Sequence, residues 1–128
     1  MKLLWCLVLT IGLMVGALGF AQRSSTRLEG ILLGAGNDKG KAKWSTKDGR
    51  GQMQAEFEVE GENLIPNETY FIYVGKNLPW SATTDAFGAF ALEQRYIGPV
   101  RPTILPGDSV FVTNEAGTST LLGTLRAR

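Results

Sequence analysis

From residue 28 onward, apolar and polar side chains alternate with a period of two, and Gly, Pro, Asn and Asp break the pattern every eight to twelve residues. Alternation puts one side of an extended chain in a core and the other in water, whereas a helix would need a stripe repeating every three or four positions. The spacing predicts strands over residues 28–33, 39–45, 52–60, 69–74, 80–84, 89–95, 109–113 and 120–126. Regularly spaced short strands of this kind predict an all-β domain, a single Greek-key β-sandwich of about seven to nine antiparallel strands.

The strongest local pattern lies on either side of Asp48-Gly49, a dipeptide suited to the positive-φ turn of a hairpin. Lys39, Lys41 and Lys43 alternate with Gly40, Ala42 and Trp44, and Glu56, Glu58 and Glu60 alternate with Ala55, Phe57 and Val59. A two-residue turn pairs Lys41 with Glu56, and a four-residue loop pairs Lys43 with Glu56. Both place Trp44, Phe57 and Val59 on one face and the charges on the other. Further turns are expected at Asp85-Ala86-Phe87-Gly88, Pro106-Gly107-Asp108 and Glu115-Ala116-Gly117. Pro99, Pro102 and Pro106 remove three N–H donors from one short stretch. That stretch is expected to be an extended crossover from one sheet to the other and not a central strand.

The first residues follow a different rule. Lys2 precedes an apolar run over residues 3–18, with small residues Gly19 and Ala21 after it. This is the order of a secretory signal peptide, an N-terminal signal helix cleaved after Ala21. The run is also close to the length that spans a bilayer, so an uncleaved anchor is the alternative. The predicted organisation is a signal peptide over residues 1–21, a short tail over 22–27 and the β-sandwich domain over 28–128. Export would place the domain outside the cell or in the periplasm.

Cleavage changes what the composition permits. Cys6 is the only cysteine and leaves with the leader, so the mature chain has neither disulfide nor thiol. Loss of Lys2 from 13 basic residues balances the 12 acidic ones. A neutral domain lacks the basic excess that supplies most nucleic-acid affinity.

The segment Leu64-Ile65-Pro66-Asn67-Glu68-Thr69-Tyr70-Phe71-Ile72-Tyr73-Val74 resembles the stretch of fibronectin type III and other immunoglobulin-like sandwiches in which Leu, Pro and Tyr lead into alternating apolar residues. The resemblance implies that Tyr70 is a tyrosine corner, its ring buried and its hydroxyl bonded to backbone a few residues upstream. More strands follow this segment here than in the fibronectin order. The resemblance therefore implies sandwich architecture, without the family's topology or adhesive function.

The chain contains no histidine. With no mature cysteine either, Ser-His-Asp and Cys-His catalysis cannot be assembled, and zinc, copper and haem lose their usual ligands. The copper/zinc superoxide dismutases, which share a Greek-key sandwich, need a histidine cluster. Gly107-Asp108-Ser109 resembles the nucleophile block of GDSL esterases, but nothing in the sequence could deprotonate Ser109, and a turn is expected there. Glu56, Glu58 and Glu60 are expected to be a solvated face balanced by lysines and not a carboxylate pair for glycoside hydrolysis. Asn37, Asp38, Asp48 and Asp85 lack the spacing of a calcium loop.

Aromatic residues supply the remaining functional signal. If Tyr70, Ile72 and Val74 point inward, Phe71 and Tyr73 point outward, and Trp80 follows Pro79 at a loop end. Phe71, Tyr73 and Trp80 are the candidate partner-binding residues, suited to a protein or carbohydrate. Asn67-Glu68-Thr69 fits a glycosylation acceptor in a eukaryotic secretory pathway. The expectation is a secreted, non-catalytic binding or accessory module without cofactor or metal. The alternatives are a structural, self-assembling envelope protein using an exposed edge or the Phe71/Tyr73 face, and a hydrolase working with carboxylates alone. Contact with a membrane is expected only through an uncleaved leader.

Overall fold

The computed structural model describes residues 23–49 and 51–128, and the signal helix expected over residues 1–21 lies outside them. Nine antiparallel strands form the described chain: β1 (Arg23–Leu33), β2 (Lys39–Gly49), β3 (Gln52–Glu62), β4 (Thr69–Val74), β5 (Trp80–Thr83), β6 (Phe90–Ile97), β7 (Ser109–Asn114), β8 (Thr120–Thr124) and β9 (Arg126–Ala127). Among the described residues no helix is long and apolar enough to cross a membrane.

All nine strands belong to one sheet in the order β5-β4-β7-β8-β1-β2-β3-β6, with β9 also pairing β1. Two separate layers were expected. The single sheet arises because β1 pairs with β2 along its length and with β8 and β9 at Leu33↔Leu122, Leu28↔Ala127 and Glu29↔Arg126. The sheet curls until β5 and β6 approach each other, so it is nearly closed.

The period of two sets the inside. Leu28, Leu32, Trp44, Phe57, Val59, Tyr70, Ile72, Val74, Val110, Val112, Leu121 and Leu125 are all buried in one core. Gly61 stands opposite Phe90, whose ring fills the space that a Cβ on Gly61 would need. An inward glycine thus lets a large ring turn across the taper of the sheet.

The hairpin keeps its expected faces but moves its turn. Gly49 pairs with Gln52, so the turn falls between them, with Gly51 at φ 78°. Lys43 pairs with Glu58, Lys41 with Glu60 and Lys39 with Glu62, an even-numbered shift from both expected registers. An even shift leaves every side chain on its own face. Asp48 is not the turn residue because Arg101 holds it, with Nη1 to Oδ1 at 2.9 Å and Nη2 to Oδ2 at 2.8 Å.

The proline-containing crossover closes one mouth of the sheet. It runs from β6 to β7 within the same sheet, passing β5 and β4. Gly98 N–H donates to Met53 O, Asn77 Nδ2 donates to Thr103 O, and Gly107 N–H donates to Leu125 O. Ile104 is buried from this segment and plugs the end of the core.

The opposite mouth holds the predicted corner. Tyr70 is fully buried, Ile65 N–H donates to its hydroxyl at 3.1 Å, and that hydroxyl donates to Ser119 Oγ at 2.8 Å. Beside it the buried Thr84 hydroxyl donates to Ile65 O at 2.6 Å and accepts from Glu68 N–H at 2.9 Å. Buried hydroxyls here are fully partnered, as burial requires.

Candidate functional site

The outside of the sheet divides into two unlike halves. On β4, β7, β8 and the second half of β1, the outward positions at the centre of the strands are apolar and are flanked by Thr69, Ser109, Thr113, Thr120 and Thr124. Tyr73 pairs with Phe111, Phe111 with Leu122, and Leu122 with Leu33, so one register row crosses four strands. Exposure along the row is 39% for Tyr73, 37% for Phe111, 56% for Leu122 and 65% for Leu33, and Ile31, on the same face of β1, reaches 71%. The Tyr73 and Phe111 rings lie 6.3 Å apart at 35°. Isolated exposed apolar residues are ordinary, whereas a contiguous row across four strands departs from that pattern.

Phe71 and Tyr73 do point outward, Phe71 half-buried and Tyr73 exposed. Trp80 does not join them. It pairs with the inward-facing Ile72, lies 4.7 Å from the Phe57 ring, and donates its indole N–H to Tyr96 Oη at 3.0 Å. The structure therefore separates the three candidate residues across the two faces of the sheet. Phe111, Leu122, Leu33 and Ile31 had no place in the sequence-derived set. Their signal was present as strands apolar on both faces, in Val110-Phe111-Val112 and in Ile31-Leu32-Leu33.

The other half of the outer surface is charged. Glu29 accepts an ion pair from Arg128 at 2.9 Å and lies 3.9 Å from both Lys41 and Lys43. Lys39, Lys41 and Lys43 all stand opposite β3 glutamates in the ladder, yet among the described residues only Lys39 makes an ion pair there, with Glu62 at 3.7 Å. Glu29 draws the other two because it lies directly opposite Lys43 on the neighbouring strand, with Lys41 two residues along on the same face.

Glu56, Glu58 and Glu93 bring carboxylate oxygens within 4.8 Å of one another, a spacing that could hold a cation. Arg95 already occupies Glu56, with Nε 2.9 Å from Oε2. The Glu58 carboxyl is pushed up from its ordinary value, first by a hydrogen bond shared with Glu56, then by partial burial and the charges of Glu56 and Glu93. An open depression of about 510 Å³ beside this cluster is lined by polar groups including Arg27, Lys47, Gln54 and Arg95.

The other acidic candidates are not gathered. Asp48 bonds Arg101 at the crossover mouth, and Asp85 caps its own turn by accepting from Phe87 N–H at 2.8 Å and Ala89 N–H at 3.0 Å. Each is held below its usual carboxylate range, Asp48 chiefly by the Arg101 hydrogen bond and Asp85 chiefly by the Ala89 amide. Ser109 opens β7 as a ladder residue opposite Thr124. Comparison with protein-family models and with curated proteins finds no match.

Proposed function

We propose that this chain is an exported, non-catalytic β module that binds a protein partner through the outer face of β4, β7, β8 and β1. The observation carrying the reading is the continuous row from Tyr73 through Phe111 and Leu122 to Leu33. A row of mixed aliphatic and tilted aromatic side chains suits the apolar surface of a protein. Carbohydrate is less well served, because sugar rings favour flat exposed aromatic platforms and Trp80 turns toward the core.

Export is supported by the signal-like order of residues 1–21, and a non-catalytic role by the absence of histidine from the sequence. The Greek-key part of the reading is supported by two connections, β3 to β4 and β6 to β7, that each pass a pair of strands. The Tyr70 corner supports kinship in architecture with immunoglobulin-like sandwiches.

The test is capture from an envelope or culture-medium extract of the source organism, comparing the mature protein with a Phe111→Ser/Leu122→Ser variant. A protein retained by the first and lost by the second supports the proposal. Equal retention by both would refute it. A second reading, self-assembly through the same face, draws on the row's lack of charge, which leaves no repulsion between two copies. Sedimentation showing a dimer that the variant dissolves would favour it.

A further inference from the structure

The nearly closed sheet has one seam, and it is unfinished in two independent respects. Among the described residues, β5 pairs only with β4, and β6 pairs only with β3. β5 and β6 leave the Asp85–Ala89 turn together, where Asp85 N–H donates to Ala89 O at 2.8 Å, and no ladder continues between them. Every second residue of an eight-residue β6 therefore directs its N–H and C=O into the seam without a strand to receive them.

The core is incomplete along the same line. Four hydrophobic residues pack against the core while remaining only partly buried: Trp80 and Ala82 on β5, and Leu92 and Tyr96 on β6. All four flank the seam. The hydrogen bond from Trp80 Nε1 to Tyr96 Oη reaches across it through side chains alone.

We infer that this seam accepts an extended peptide segment of a partner protein, added as a strand along the free edge of β6. Unpaired ladder groups select an extended backbone over a helix or a folded surface. On its inner side the segment would present small or aliphatic residues to Leu92, Tyr96 and Trp80. On its outer side it meets Glu93, which with Glu56 and Glu58 makes three carboxylates against two cations, Arg95 and the Lys43 opposite Glu58. That imbalance calls for lysine or arginine at alternate positions of the occupant. The site is separate from the apolar row, and its failure or success leaves the row's role untouched.

The test uses the mature protein and synthetic octapeptides alternating valine with lysine, valine with glutamate, and a valine-lysine peptide N-methylated at alternate amides. NMR amide exchange and titration shifts are the readouts. The valine-lysine peptide is expected to slow exchange at alternate amides of β6, leaving β7 and β8 unchanged. Glu93→Lys should weaken its binding about tenfold and reverse the preference toward the valine-glutamate peptide. N-methylation should abolish binding. Three results would each overturn the inference: no saturable shift at ~1 mM peptide, in the weakest range of specific recognition; equal binding of the N-methylated peptide; or β6 edge amides already protected by association of two copies.

Discussion

Tyr70 and Ser119 are hydrogen-bonded at 2.8 Å although 49 positions separate them in the chain. The tyrosine hydroxyl also accepts from Ile65 N–H, so one oxygen ties the approach to β4 and the approach to β8 into the same mouth of the sheet. Tyr70→Phe keeps the ring and removes that oxygen, leaving the Ile65 amide without its partner. Leaving such a donor unpaired costs about 1–3 kcal/mol. Urea titration should show a lower midpoint with an unchanged slope.

The clamp between Arg101 and Asp48 gives the protein an acid-sensitive joint. Because the Asp48 carboxyl is held below its ordinary value, its contribution is complete above that value and disappears as pH falls through the lower folded one. Asp85 acts in the same direction. Thermal stability should therefore fall below about pH 4, the ordinary carboxylate range. Arg101→Gln should lower the melting temperature at pH 7 and flatten the acid limb.

Glu58 works with the opposite sign. Its raised carboxyl favours the neutral form in the fold, so stability is lost as pH rises from the ordinary glutamate value through the higher folded one. It lies directly opposite Glu93, and such like-charge pairs cost roughly 0.2–1 kcal/mol. Glu58→Gln should raise the melting temperature at pH 7 and leave it unchanged near pH 3.

Gly88 and Gly117 separate two costs that are usually confounded. Both are left-handed, at φ 79° and 74°, but a Cβ on Gly88 meets the Leu64 carbonyl while one on Gly117 meets open space. Gly117→Ala should cost about 1–2 kcal/mol, the penalty for that backbone conformation. Gly88→Ala should cost more, and the difference between the two midpoints measures the steric part.

Phe111→Ser/Leu122→Ser should cost less per site than the roughly 2–5 kcal/mol of truncating a fully buried apolar side chain, since Phe111 is 37% and Leu122 56% exposed. Equilibrium unfolding checks this directly. A large loss would mean that the row supports the fold and is not kept for a partner.

Much of the architecture was legible because burial is written in alternation. The span of β4 was foreseen to the residue, Thr69–Val74, since apolar residues fill it and turn residues flank it. The hairpin faces were legible, but its turn was not, because Asp48-Gly49 carries local turn chemistry that the distant Arg101 overrides. The first part of β1 was invisible for another reason. Ser24, Ser25 and Thr26 carry no alternation of apolar residues, and this stretch is strand because its backbone pairs with β2. Trp80 was misplaced because its direction depends on register with Ile72, a relationship between strands that no single stretch of sequence encodes.

The adjacency of β1 to β8 and β9 also governs how the molecule must assemble. The β1–β3 meander can form from neighbouring sequence, but its open side waits for residues 120–127. Loop closure over that distance is entropically expensive and slow. A chain halted before residue 120 would hold an uncovered row of amides along β1 and a core open to water, leaving it exposed to proteases and to pairing with other unfinished chains.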